Sequence, residues 1–297
     1  MTAIEFYNTT KDFLQRKATA YGVTDLDKYY ETTDTRLPWY ASFKGDAISR
    51  CFAQLAFHGQ NATMISGIVR FEYNYDFLYE TCCHFNPKTF WETYCEGKDD
   101  AQRIDGIVAE LRKGLRWNSK NSTEERKDSI AKRFAKLLIH GSEYLKGFAT
   151  KEELVADLRR NNIQYHRGSV NDPNRKLIKY FMEKMGQGSG FSVALTCDFL
   201  KELDTSFNYL AKPDIHIMDV MAVFKGKPNG YYYNSESKAF ECLREFQELV
   251  REINNDLPED EKITVYKLDR MIWLICSGKF FLDHVELDKK HYLGRLR

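Results

Sequence analysis

Apolar side chains at Phe240, Leu243, Phe246, Leu249, Val250 and Ile253 fall three or four residues apart, which lays them in one stripe along an α-helix. Val265, Leu268, Ile272 and Ile275 repeat the spacing until Ser277-Gly278 stops it, and the polar run NNDLPEDEK separates the two helices. The same period predicts helices over 48–68, 103–115, 129–138 and 151–160, the last opened by Thr150 as a capping residue. The segment YNYDFLYETCCHF is assigned to helix as well. Only 17 glycines and 6 prolines punctuate the 297 residues, too few for an all-β chain rich in turns. The expected class is mainly α, with enough apolar residues (43%) for one large domain or two modest lobes sharing a core. No internal repeat, low-complexity tract or long linker marks a lobe boundary.

The N-terminal stretch MTAIEFYNTTKDFLQRK lacks the apolar core of a signal peptide, and no window reaches eighteen apolar residues. A cytoplasmic protein with no membrane partner is therefore expected. Seven cysteines form no CxxC pair, and reduced thiols are the default in a chain of this kind. Cys82, Cys83 and His84 are adjacent, but no second ligand pair follows at zinc spacing, so no metal site is assigned. The net charge of +1 implies no nucleic-acid partner by itself. Its distribution is uneven, however. From 111 to 136 the cations Arg112, Lys113, Arg116, Lys120, Arg126, Lys127, Lys132, Arg133 and Lys136 face only Glu124, Glu125 and Asp128.

The most informative stretch runs from Asn174 to Met221. Leu177, Ile178, Phe181 and Met185 make one amphipathic helix, and Val193, Leu195, Phe199 and Leu203 resume a second. Between them Gly186, Gly188 and Gly190 permit positive φ and close backbone approach, so amides at the start of the second helix can face an anion such as phosphate. A loop then leads to Lys212-Pro213-Asp214-Ile215-His216, where the proline fixes the entry and Asp214 stands at the start of a further helix.

This stretch resembles the helix-hairpin-helix DNA glycosylases of the HhH-GPD superfamily, whose hairpin GxGxxxA is followed about twenty residues later by an essential aspartate. The matching residues here are Gly188-Ser189-Gly190-Phe191-Ser192-Val193-Ala194 and Asp214, which follows Ser192 by 22 residues. The extra length falls in the TSFNYLAK loop. The resemblance implies a two-lobed helical fold forming a single glycosylase-like unit over 1–297, with the hairpin at about 174–204 and a catalytic loop at 211–217. Family members that also cleave the backbone carry a lysine where this chain has Ser192, so a monofunctional enzyme using water is implied. Upstream, His58-Gly59-Gln60-Asn61-Ala62-Thr63 is similar to the polar turn that fills the duplex when a base is extruded, which nominates Gln60 and Asn61 as wedges. His216 matches a position that contacts phosphate. The resemblance allows a structural monovalent cation at the hairpin, and the lone Cys276 near the C-terminus implies no iron–sulfur cluster.

Taken together, the resemblance implies a monomer that binds double-stranded DNA through Gly188, Ser189, Gly190, Ser192, His216, Gln60 and Asn61, with Asp214 as the catalytic carboxylate. Breaking an N-glycosidic bond builds positive charge on the sugar, which a fixed carboxylate stabilises while orienting water. The target base must first be flipped out of the stack. Within the superfamily the chain looks more like a divergent branch associated with hypermodified pyrimidines of bacteriophage DNA, which suggests antiphage defence as readily as base excision repair. That branch also offers a transferase or pyrophosphorylase reaction on modified thymine as an alternative, and a noncatalytic DNA-binding module is a third reading. Trp39 and Tyr40 are further candidates to line a base pocket.

Overall fold

Helices carry almost all of the regular structure, as the period of three to four residues predicts. The computed structural model describes residues 1–23, 26, 30, 37–61, 68–118, 123–166, 174–233, 235–277, 279–280, 283–284 and 289–297; of residues 60, 61, 162–166, 279, 280, 283 and 284 it describes the backbone alone. In chain order the helices are α1 (Ala3–Ala20), α2 (Pro38–Ser42), α3 (Ala47–Asn61), α4 (Phe71–Thr81), α5 (Pro87–Tyr94), α6 (Asp100–Gly114), α7 (Glu124–Leu145), α8 (Lys151–His166) and α9 (Arg175–Lys184). They continue with α10 (Val193–Leu203), α11 (Ile215–Phe224), α12 (Glu236–Asp256), α13 (Val265–Ser277) and α14 (Lys289–Arg295). Two-residue strands β1 (Lys279–Phe280) and β2 (Asp283–His284) pair antiparallel between the last two helices. Side-chain caps start many of these helices: Thr2 and Asp99 close capping boxes with Glu5 and Gln102, and Thr123, Ser235 and Asp214 each accept an amide of the first turn. Thr150 does the same for α8, accepting from the Glu153 amide at 3.2 Å.

Two sequence expectations are corrected. The helix expected over 48–68 is described as far as Asn61 and residues 62–67 lie outside the described residues, but Ile68 forms an isolated antiparallel bridge with Trp117, where the Val69 amide donates to the Arg116 carbonyl. The helix expected through YNYDFLYETCCHF stops at Thr81, because Cys83, His84 and Phe85 take φ of 52, 58 and 56°. That left-handed turn redirects the chain so that Phe85 is fully buried, stacked 6.4 Å from Tyr75.

The chain forms two compact units, Pro38–Phe199 and Met1–Leu37 with Leu200–Arg297, so the division falls inside α10. In the first, α7 packs against α3, α5 and α6. Glycines make the α3–α7 approach close: a Cβ at Gly59 would fall 2.0 Å from Leu137 Cδ2, and one at Gly141 2.3 Å from Leu55 Cδ2. Asp157 on α8 ties three helices, accepting the hydroxyls of Tyr144 on α7 (2.9 Å) and Tyr180 on α9 (2.8 Å). Trp39 is 2% exposed, within 6 Å of the rings of Tyr40, Phe57 and Phe71, so it serves this aromatic core.

In the second unit α1 packs on α12, α13 and α14. Phe6 meets Phe224 edge-on at 5.1 Å, the Thr10 and Tyr292 hydroxyls share a 2.7 Å hydrogen bond, and buried Lys17 donates to the Ile275 carbonyl at 3.0 Å. Among the described residues no helix is long and apolar enough to cross a membrane.

Candidate active site

The glycine hairpin lies in the Pro38–Phe199 unit, between the C-terminus of α9 and the start of α10. Phe181 stacks on Phe199 at 5.0 Å and sits 6.0 Å from Phe191, so an apolar contact clamps both helices beneath the turn. Gly186, Gly188 and Gly190 have φ of 73, 82 and 88°, the left-handed region that glycine enters without a Cβ penalty. Ser189 is buried. Its hydroxyl donates to the Gly186 carbonyl at 2.9 Å and accepts the Phe191 amide at 3.3 Å, so it braces the turn from within. Ser192 is half-buried and reaches the Leu195 amide at 3.5 Å, in the manner of a helix cap.

The hairpin is pressed against α7. A Cβ at Gly186 would lie 2.2 Å from His140 Cδ2, one at Gly190 2.9 Å from Arg133 Cδ, and one at Gly188 3.2 Å from Lys136 Nζ. Gly186→Ala therefore combines left-handed strain of about 1–2 kcal/mol with displacement of the His140 ring. Gly22→Ala has similar strain, φ being 71°, but nothing within 4 Å. In denaturant unfolding Gly186→Ala is expected to cost clearly more than Gly22→Ala; equal losses would show that His140 gives way freely.

A monovalent cation fits this hairpin poorly. The Gly186 carbonyl already accepts from the Ser189 hydroxyl and amide, and the Lys136 ammonium brings a positive charge to Gly188. Among the described residues no three His, Cys, Asp or Glu side chains come together as a metal-binding group.

Asp214 belongs to the other unit. It is the N-cap of α11, and its Oδ1 accepts the amides of His216 (2.8 Å) and Ile217 (3.3 Å). Oδ2 makes no hydrogen bond among the described residues, and the side chain is half-buried. The result is a carboxylate held at one oxygen and available at the other. Its loop is held from below: the Lys212 amide donates to Asp269 Oδ2 at 3.0 Å, and the same oxygen pairs with Lys201 Nζ at 2.5 Å. Both ionic side chains are 3% exposed. Beside Asp214, Lys289 bridges Asp219 (2.5 Å) and the Ile215 carbonyl (3.1 Å), and the Tyr233 hydroxyl donates to Asp219.

His216 is half-buried, and among the described residues its Nδ1 has no hydrogen-bond partner. Burial holds its pKa below the usual imidazole value, against the opposing pull of Asp214. The ring is therefore neutral near pH 7, and any phosphate contact would be an N–H hydrogen bond rather than an ion pair. As pH falls through about 6.5 the unfolded chain takes up a proton that the folded ring resists, so stability is lost on the acid side. The thermal midpoint of the native protein should consequently fall more steeply between about pH 6.5 and 5 than that of His216→Asn; parallel profiles would contradict this.

Of the residues nominated from sequence, Gly188, Ser189, Gly190 and Ser192 share the hairpin, and Asp214 and His216 share the start of α11. Gln60 and Asn61 end α3 in backbone, and their side chains lie outside the described residues. Sequence reading missed Lys201, Asp269, Asp219 and Lys289. Asp269 had a signal, since it stands four after Val265 and three before Ile272, on the apolar face where a charge must be paired. Comparison of the chain with protein-family models, with curated proteins and with solved structures gave no match.

Proposed function

We propose that this protein is a monofunctional DNA glycosylase that flips a modified base, a hypermodified phage pyrimidine by the resemblance noted above, and hydrolyses its N-glycosidic bond with Asp214. The observation that carries this reading is the Asp214 carboxylate itself. One oxygen is fixed by two amides, on a loop anchored by a buried ion pair, while the other has no hydrogen-bond partner among the described residues. A preorganised carboxylate suits a reaction in which positive charge develops at C1′ and water must be oriented. The left-handed glycine turn supports the DNA partner, since backbone amides at a helix start receive phosphate oxygens. Ser192 offers no amine for a Schiff base, so the product would be an intact strand with an abasic site.

The purified protein, challenged with DNA from unmodified, hydroxymethylated and glucosylated phage genomes and then treated with alkali, is expected to yield strand breaks on one modified class. No alkali-labile sites on any of the three would count against the reading.

A further inference from the structure

The described cations between 111 and 136 are not equivalent once folded. Arg112 pairs with Glu124 and Asp128, Lys113 with Glu110, Lys127 with Glu124, and Lys132 with Asp128. Arg133 and Lys136 make no ion pair among the described residues, and they are the two cations of α7 that stand against Gly190 and Gly188. A groove of about 400 Å³ opens there, lined by Glu125, Asp128, Lys132, Arg133, Lys136 and Gly188. Its acidic residues lie toward the start of α7. Asp128 is eight residues from Lys136, about 12 Å along the axis, and is already engaged by Lys132 and Arg112. The hairpin end of the groove is thus cationic.

We infer that Arg133 and Lys136 form a second phosphate-binding element, which receives a DNA backbone phosphate in the groove between α7 and the hairpin. This rests on the DNA-binding part of the proposed function and not on the base-release chemistry. The hairpin supplies neutral backbone donors, and α7 supplies the charge that releases counterions from the duplex. A guanidinium and an ammonium three residues apart share one helix face and can engage one phosphate or two consecutive ones.

The test is the salt dependence of binding to a duplex oligonucleotide, measured for the full chain and for Arg133→Gln/Lys136→Gln, with folding checked by circular dichroism. The double variant is expected to lower the slope of log K against log salt by about 1 to 2, and Lys136→Arg to keep the native slope. Lys113→Gln, which removes a cation already paired with Glu110, is expected to leave the slope nearly unchanged. An unchanged slope in a folded double variant, or an equal drop in Lys113→Gln, would overturn the assignment. So would displacement of the duplex by inorganic phosphate at constant ionic strength, since that would mark a pocket for the free anion. Base release at saturating DNA separates the two ideas. A native rate in the double variant leaves the chemistry with Asp214, and a slope change in a protein that releases no base keeps the groove while removing the glycosylase reading.

Discussion

Asp214→Asn is expected to slow base release by about a thousandfold while leaving DNA affinity within a few-fold of native. Asparagine caps a helix about as well as aspartate, so its Oδ1 can keep the His216 and Ile217 amides that hold the native side chain. What it loses is the negative charge at the other oxygen. Alanine would lose the cap too, at about 1 kcal/mol, and a fall in rate could then be blamed on a frayed α11. A single-turnover measurement on a duplex carrying the excised base, beside a binding isotherm for the same duplex, reads the two effects apart. Loss of affinity matching the loss of rate would move Asp214 from chemistry to structure.

The second large effect concerns the buried pair beneath that loop. Lys201 and Asp269 are each 3% exposed, and Asp269 also accepts the Lys212 amide. Removing Lys201 leaves the buried Asp269 carboxylate without its ion pair, a loss of about 3–5 kcal/mol and on the order of 10 °C in thermal midpoint. Burial pushes the Asp269 carboxyl up while Lys201 pulls it down, so without the lysine the acid would take up a proton. Replacing both ions by neutral groups is a different matter. Lys201→Met/Asp269→Asn removes both charges but keeps a carbonyl oxygen for the Lys212 amide, and should recover most of the lost stability. Lys201→Met/Asp269→Leu also removes that acceptor, which costs about 1–3 kcal/mol for the orphaned amide. If the pair positions Asp214, the leucine variant should remain slow in base release while the asparagine variant approaches native. Equal rates in the two would confine the pair to stability.

Much of the helical framework is legible in the sequence, because a stripe of apolar residues every three or four positions forces a helix to bury one face. The starts of α8 and α11 are legible too, since Thr150 and Asp214 are capping residues ahead of apolar runs. The hairpin is legible because three glycines interrupt two amphipathic segments, and all three take positive φ. What the period cannot reveal is the left-handed turn at Cys83–Phe85, which no glycine announces and which tertiary burial of Phe85 accompanies. Nor does local sequence reveal partners far along the chain. Lys201 and Asp269 are 68 residues apart, and Lys289 meets Asp219 across 70. Charge counting likewise gives the basic 111–136 segment its sign without saying which cations are neutralised. Only the fold separates Arg133 and Lys136 from Arg112, Lys113, Lys127 and Lys132.

The most direct test is mass analysis of what the native protein releases from a modified duplex, with Asp214→Asn run in parallel. Hydrolysis of the glycosidic bond should give a free modified base and an equal amount of abasic sugar in the strand, with neither from the variant. Release of pyrophosphate, or an altered nucleoside whose base is still joined to its sugar, would contradict a glycosylase and assign the protein to group transfer on the base.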